Sequence, residues 1–218
     1  MTVNVFSAFA VPLGESHHPE PAPLNAELLQ LTRALEALGA GYRNPQPVVH
    51  QPDGLFESEF DFFVRPEPCV QRLRGWVWGE LAEFIRNINP GMAQNARGLQ
   101  IASQTWFHFT RDGGYFGYHN HPMASWSGVY CVADGDPSPD YSNNGSLVFP
   151  HPLTVANAFM DPTNAVLRWP YTQANYVLNL KPGQLLLFPS WLGHYVTPFR
   201  GPAERVTVAF NAWFQKTA

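Results

Sequence analysis

Charge is what this sequence has least of: Lys, Arg, Asp and Glu together make 14% of 218 residues, against roughly 25% in an average domain. The formal net charge of −4 carries no basic surplus, which excludes a nucleic-acid-binding surface or one built for anionic membranes. Cysteine is nearly absent. Cys69 and Cys131 stand far apart in apolar surroundings, which excludes a disulfide framework and leads us to expect a reducing, cytoplasmic setting. No apolar run approaches the length of a membrane span. The opening MTVNVFSAFAVPLGE has no basic n-region, so it reads as a first strand over residues 3–11 rather than a signal peptide. Internal repeats and low-complexity tracts are absent as well.

Aromatics, by contrast, reach 14%, and 21 prolines and 17 glycines accompany them. That mixture predicts many turns, short strands and a large packed interior. After a His/Pro loop containing His17 and His18, Leu24, Leu28, Leu31, Leu35 and Leu38 recur at three- and four-residue steps and form one apolar stripe of a helix, which Gly39 and Gly41 stop. Residues 43–66 read as irregular. A second helix is predicted from about Glu67 to Asn87, with Pro68 in its first turn and Asn89-Pro90-Gly91 ending it. Trp76 and Trp78 widen its apolar surface, so it should be covered on more than one side.

From about residue 97 the texture changes to short β-branched and aromatic runs between turn residues. Strands are expected at 99–110, 115–120, 126–133, 145–149, 175–180, 184–188, 193–198 and 204–214, with an insertion at 151–174 holding one helical turn near 163–169. Regular spacing of this kind means a sandwich or a barrel. The expected fold class is therefore α+β and mainly β, with residues 1–96 supplying a strand and buttressing helices to a core at 97–218, one domain in all.

Three of the eight histidines carry a signal. His17, His18 and His50 lie in loops, His108 suits a hydrogen-bonded core position, and His151 ends a strand where it could line a pocket mouth. His119 and His121 are different because residues two apart on a strand project to the same face and can share one ion. His194 lies in PGQLLLFPSWLGHYV, a turn, a buried strand and a returning strand. That hairpin is how a jelly-roll barrel sets a third ligand opposite a pair on an earlier strand. Three imidazoles leave open positions on a six-coordinate metal, and a catalytic metal needs such positions. Without metal, the same residues would be a polar interior whose histidines bond to one another.

The last run, ERVTVAFNAWF, alternates cleanly. Val206, Val208, Phe210, Ala212 and Phe214 make an apolar face for the helices, while Arg205, Thr207, Ala209, Asn211 and Trp213 face the other way. An arginine there is costly unless it meets an anion. A dicarboxylate chelating the metal at one end, and clasped at the other by Arg205 with Thr207 adding a donor, accounts for it. The plainer reading pairs Arg205 with Glu204 or Asp134.

Taken together, WFHFTRDGGYFGYHNHPMASWSGVYCV, GSLVFPHP and PGQLLLFPSWLGHYVTPFRGPAERVTVAFNAWF resemble the 2-oxoglutarate- and iron(II)-dependent oxygenases, and more narrowly the branch with an HxHP…SGVYY segment and an LFPSWLxHxV hairpin. The resemblance covers roughly residues 97–214. It implies a double-stranded β-helix (jelly-roll, cupin-like) barrel using Fe(II), O₂ and 2-oxoglutarate, with release of succinate and CO₂. It also implies that His119 and His194 ligate the metal and that Arg205 and Thr207 hold the far carboxylate of 2-oxoglutarate. One position departs from the wider superfamily: His121 stands where most members have an aspartate or glutamate. Three neutral imidazoles leave iron(II) with charge +2 rather than +1, unless a loop carboxylate such as Asp134 or Asp136 replaces His121.

Three readings follow. The first is a 2-oxoglutarate-dependent oxygenase acting on a small molecule or peptide, with Tyr118, Trp126 and the 151–174 insertion on the substrate side. The second is a three-histidine iron dioxygenase that needs no 2-oxoglutarate. The third is a metal-binding protein without catalysis. The charge-poor, aromatic surface also leaves room for a homo-oligomer.

Overall fold

A computed structural model of the chain describes residues 3–91, 99–152, 159 and 161–216. The element order is β1 (Gly14–His17), α1 (Pro21–Glu36), β2 (Leu55–Glu57), α2 (Pro68–Ile88), β3 (Leu99–Thr110), β4 (Phe116–His119), β5 (Trp126–Asp134), β6 (Leu147–Phe149), β7 (Tyr176–Leu178), β8 (Gln184–Pro189), β9 (His194–Val196) and β10 (Arg205–Lys216). No helix among the described residues is long and apolar enough to cross a membrane.

Both predicted helices form where their apolar periodicity falls. Leu24, Leu28, Thr32 and Leu35 are the buried stripe of α1, while Leu38 lies beyond the helix end and is exposed. On α2 the stripe is Val70, Leu73, Val77, Leu81 and Phe84, and all but Phe84 are wholly buried, each such side chain contributing roughly 1.5–3 kcal/mol. Trp76 and Trp78 flank it and meet the sheet edge-on, against Tyr130 at 5.7 Å and Phe210 at 5.1 Å. Both helices lie on the apolar face of β10, where Val206, Val208, Phe210 and Ala212 are buried in the same cluster.

The expected closed barrel is not what forms. The strands make two separate open antiparallel sheets, one of six strands in the order β1-β8-β5-β10-β3-β2 and one of four in the order β4-β9-β6-β7. Neither sheet closes on itself. The reason lies in strand length. β4, β6, β7 and β9 are only three or four residues long, too short to bend round and hydrogen-bond to the edges of the larger sheet. On one flank, where β1 and β7 are edge strands, the sheets are bridged by side chains, the Tyr176 hydroxyl donating to Glu15.

Other corrections are local. Residues 3–11 form no strand; the first strand is instead Gly14–His17, which adds to the edge at β8, so His17 sits opposite Gln184 rather than in a loop. Residues 43–66 hold β2, whose Glu57 lies opposite His108. Residues 162–166 are hydrogen-bonded turns in which the Ala165 N–H donates to the Asp161 carbonyl at 3.0 Å, a single helical turn slightly ahead of the expected place, and part of the 151–174 insertion lies outside the described residues.

One glycine shows how closely the large sheet and its core fit. A Cβ at Gly128 would stand 2.5 Å from two Phe210 ring carbons and 3.0 Å from the Leu186 carbonyl. Gly128→Ala is therefore expected to destabilise the protein by about 1–3 kcal/mol, the usual cost of overpacking. Urea unfolding checks this, and an unchanged midpoint would contradict it.

Candidate metal centre

The face of β10 turned away from the helices looks across at the smaller sheet, and the residues between the two enclose a small cavity. On the large sheet the register aligns polar side chains in rows across strands. Thr207 of β10 lies opposite His108 of β3, which lies opposite Glu57 of β2. Arg205 lies one row along, opposite Thr110. A bulge between β10 and β5 falls at Val206/Thr207, a device that re-aims side chains. His119, His121 and His194 face these rows from the other side and line the same cavity as Arg205, Thr207 and His108.

The three histidines come together by three routes. His119 ends β4 and His194 begins β9, and the two are direct partners in the β4–β9 ladder. His121 lies past the strand end, so the strand alternation that suggested it does not position it. A turn does: its backbone N–H donates to the Ser190 carbonyl at 2.8 Å, and its ring lies 5.7 Å from that of Trp106. Ring centroids are separated by 4.3 Å (His119–His194), 4.9 Å (His119–His121) and 5.2 Å (His121–His194). One nitrogen from each lies within 4.8 Å of the others.

Their chemistry suits a metal. Nδ1 of His119 lies 2.8 Å from the Gly117 carbonyl, and Nδ1 of His194 lies 2.9 Å from that of Leu192. A carbonyl only accepts, so each Nδ1 carries the proton and each Nε2 keeps a lone pair for a metal. Burial and the neighbouring imidazoles hold all three proton affinities down: His119 lowered, His194 well below the usual histidine range, His121 to about 3. The donor set is three neutral imidazoles with open positions, a set that fits iron. Asp134 and Asp136 do not join it. Asp134 pairs with Lys181 at 3.1 Å, and Asp136 occupies a left-handed turn position at φ 53°.

Arg205 is 6% exposed, and among the described residues no carboxylate pairs with it. Glu204, the expected rival, is held by Arg33 at 3.0 Å and Arg111 at 2.7 Å. Asp134, opposite Arg205 on β5, goes to Lys181. Burial lowers the guanidinium's proton affinity, and the nearby Asp134 carboxylate opposes that shift. Gly145, at φ +60°, admits the Phe199 ring beside the arginine, since a Cβ there would stand 2.9 Å from that ring. The cavity beside it measures about 40 Å³, where one water takes roughly 10–15 Å³. A buried cation at the end of so small a space calls for a small anion.

Not every sequence candidate belongs here. Trp126 packs edge-on against Phe84 of α2, 5.2 Å away, on the core side. Tyr118 is exposed and lies over Gly193 in the connection from β8 to β9, which belong to different sheets, so the expected hairpin there does not form. His50 is exposed, and His18 packs on Trp76 at 5.0 Å. Sequence reasoning missed Glu57, which accepts from His108 Nε2 at 2.9 Å and from Asn44 at 2.5 Å, and Trp106, whose buried Nε1 has no hydrogen-bond partner among the described residues. The run LFESEF does not alternate, so it carried no local signal that Glu57 would be buried in a strand.

Comparison with known proteins agrees with this architecture. Residues 104–211 match the family model described as "Putative 2OG-Fe(II) oxygenase". No curated protein matches the chain in sequence. Among solved structures, a Pseudomonas putida prolyl-4-hydroxylase is similar at TM-score 0.60 and 16% identity, over 95% of this chain and 94% of that one. A Trichoplax adhaerens prolyl hydroxylase is similar at 0.55 and 16%, over 92% and 83%. HygX from Streptomyces hygroscopicus, solved with nickel and 2-oxoglutarate, is similar at 0.56 and 11%, over 93% and 82%. At these identities the likeness speaks for the fold. With the family match and the three-histidine cluster beside it, the chain belongs to the 2-oxoglutarate/Fe(II)-oxygenase structural superfamily.

Proposed function

We propose that this chain is a three-histidine iron dioxygenase: His119, His121 and His194 hold iron, and Arg205 with Thr207 holds the carboxylate of a small organic acid that is oxidised there directly. The observation that carries this reading is the donor set, three neutral imidazoles with no carboxylate among them. Bound iron supplies activation of O₂. The chain's own groups do the rest. The Nδ1–H bonds to Gly117 and Leu192 keep two imidazoles in the ligating tautomer. Arg205 fixes one end of the acid by charge-assisted hydrogen bonds of about 1.5–3 kcal/mol each. The apolar walls, Phe116, Leu147 and Phe188 among them, exclude water and strengthen that attraction.

A second reading keeps every residue in place and makes the acid a cosubstrate, 2-oxoglutarate, with another molecule oxidised. Arg205 favours it, because a buried, unpaired guanidinium across the cavity from the histidines suits an acid with carboxylates at both ends. The structural neighbour solved with nickel and 2-oxoglutarate lends it support.

Anaerobic titration of the Fe(II)-loaded protein with 2-oxoglutarate separates the two, followed by oxygen-uptake and succinate measurements. Direct oxidation predicts no metal-to-ligand charge-transfer band and no succinate. A band together with stoichiometric succinate would overturn it in favour of the cosubstrate reading. Retention of zinc that iron cannot displace would overturn both and leave a metal-binding protein without oxygen chemistry.

A further inference from the structure

Glu57 is an acid where none is needed for packing. It is 2% exposed on β2, with one carboxylate oxygen 2.9 Å from His108 Nε2 and the other accepting from Asn44 at 2.5 Å and Gln51 at 3.2 Å. Burying a carboxylate costs several kcal/mol unless it is paired and hydrogen-bonded, and these three donors meet that requirement. They hold its proton affinity below the ordinary glutamate value against the opposing effect of burial, so it is an anion at neutral pH. It does not touch the metal cluster. His108 stands between, lining the cavity with Thr207 beside it in the sheet. Its negative charge is nevertheless felt at both His119 and His121.

We propose that Glu57 is the counter-charge of the three-histidine centre: the carboxylate missing from the metal's ligands stands one residue further out, behind His108, and balances the ion from there. The inference rests on the metal-site reading above. Charge counting supports it. With neutral imidazoles, a divalent ion and Arg205 bring +3 into a small apolar cavity. Glu57 reduces this to +2, which a dicarboxylate neutralises. Glu57 thus acts as a positioning residue for charge, leaving the coordination positions to the histidines and the acid.

Glu57→Gln keeps the shape and removes the charge. Ni²⁺ affinity of the full-length protein, measured by calorimetry, is expected to fall on the order of tenfold, the scale of outer-sphere effects on metal sites. The midpoint potential of bound iron should rise, because lost negative charge costs Fe(III) more than Fe(II), whereas simple loosening of the site has no such preferred sign. Glu57→Asp should restore both readouts. Gln51→Lys offers a second route should Glu57→Gln fold poorly. It places a cation at a half-buried position beside the same carboxylate, and should weaken Ni²⁺ binding similarly. Ni²⁺ affinity and iron potential unchanged in whichever of these variants fold would overturn the proposal while leaving the metal site standing. Failure of the unmodified protein to bind Ni²⁺ or iron would overturn the metal-site reading and this inference together.

Discussion

Replacing His194 by alanine is expected to abolish divalent-metal binding at micromolar concentrations. Its ring is 4% exposed, is fixed by the bond from Nδ1 to the Leu192 carbonyl, and lies 4.3 Å from that of His119 across the β4–β9 ladder. Four-ligand zinc sites bind with roughly 10–16 kcal/mol, so one ligand accounts for about 3 kcal/mol, or about a hundredfold in affinity. Calorimetric titration with Ni²⁺ checks the figure, and His50→Ala, at an exposed position away from the cluster, serves as the control that should change nothing. His121→Asp is the informative companion. It puts a carboxylate where the wider superfamily carries one and should keep the metal. A His194→Ala protein that binds Ni²⁺ within threefold of the parent would remove His194 from the site.

The second large effect is double-edged. Arg205→Met is expected to weaken binding of the small acid to the metal-loaded protein by about 10²–10⁴-fold, the loss of two charge-assisted hydrogen bonds. It should raise metal affinity modestly rather than weaken it, since Arg205 ligates nothing and its loss takes a positive charge out of the cavity. The same substitution should raise the melting temperature of the metal-free, acid-free protein. An arginine buried among apolar walls without a carboxylate partner destabilises the fold, and a methionine of similar reach removes that cost. Calorimetric binding and thermal unfolding of the same preparation test both halves. A variant that loses stability while keeping acid affinity would show that Arg205 is a structural residue with partners of its own.

Opposed effects on binding and stability are what a functional site built into a core should give. Glu204 and Asp134 are near enough in sequence or register to neutralise Arg205, yet each is engaged elsewhere, by Arg33 and Arg111 in one case and by Lys181 in the other. Exposed ion pairs of this kind add little stability. Their consequence is that Arg205 keeps its charge available to the cavity.

Local pattern determined a good deal. The stripes of α1 and α2, the alternation of β10 and the extent of β3 follow from periodicity, because the side of an element that is buried is set by 3.6- or 2-residue repeats within it. The same alternation separated Arg205 and Thr207 from the core-facing valines; the turn and the buried strand before His194 were legible too, but β8 and β9 fall in different sheets instead of pairing as a hairpin. What the sequence could not decide depends on pairing between distant segments. That the two sheets stay open emerges from which edges hydrogen-bond, and no single strand carries that information. That β2 exists follows from its ladder with β3, whose partner residues lie fifty-odd positions away, and with it came Glu57. Whether Arg205 would meet Glu204 or face the cavity was settled by Arg33 on α1 and Arg111 beyond β3. Composition and periodicity, being local, determined the elements and the faces they bury; long-range register, which costs loop-closure entropy and is repaid only by tertiary contacts, decided which of the polar residues share a space with the three histidines.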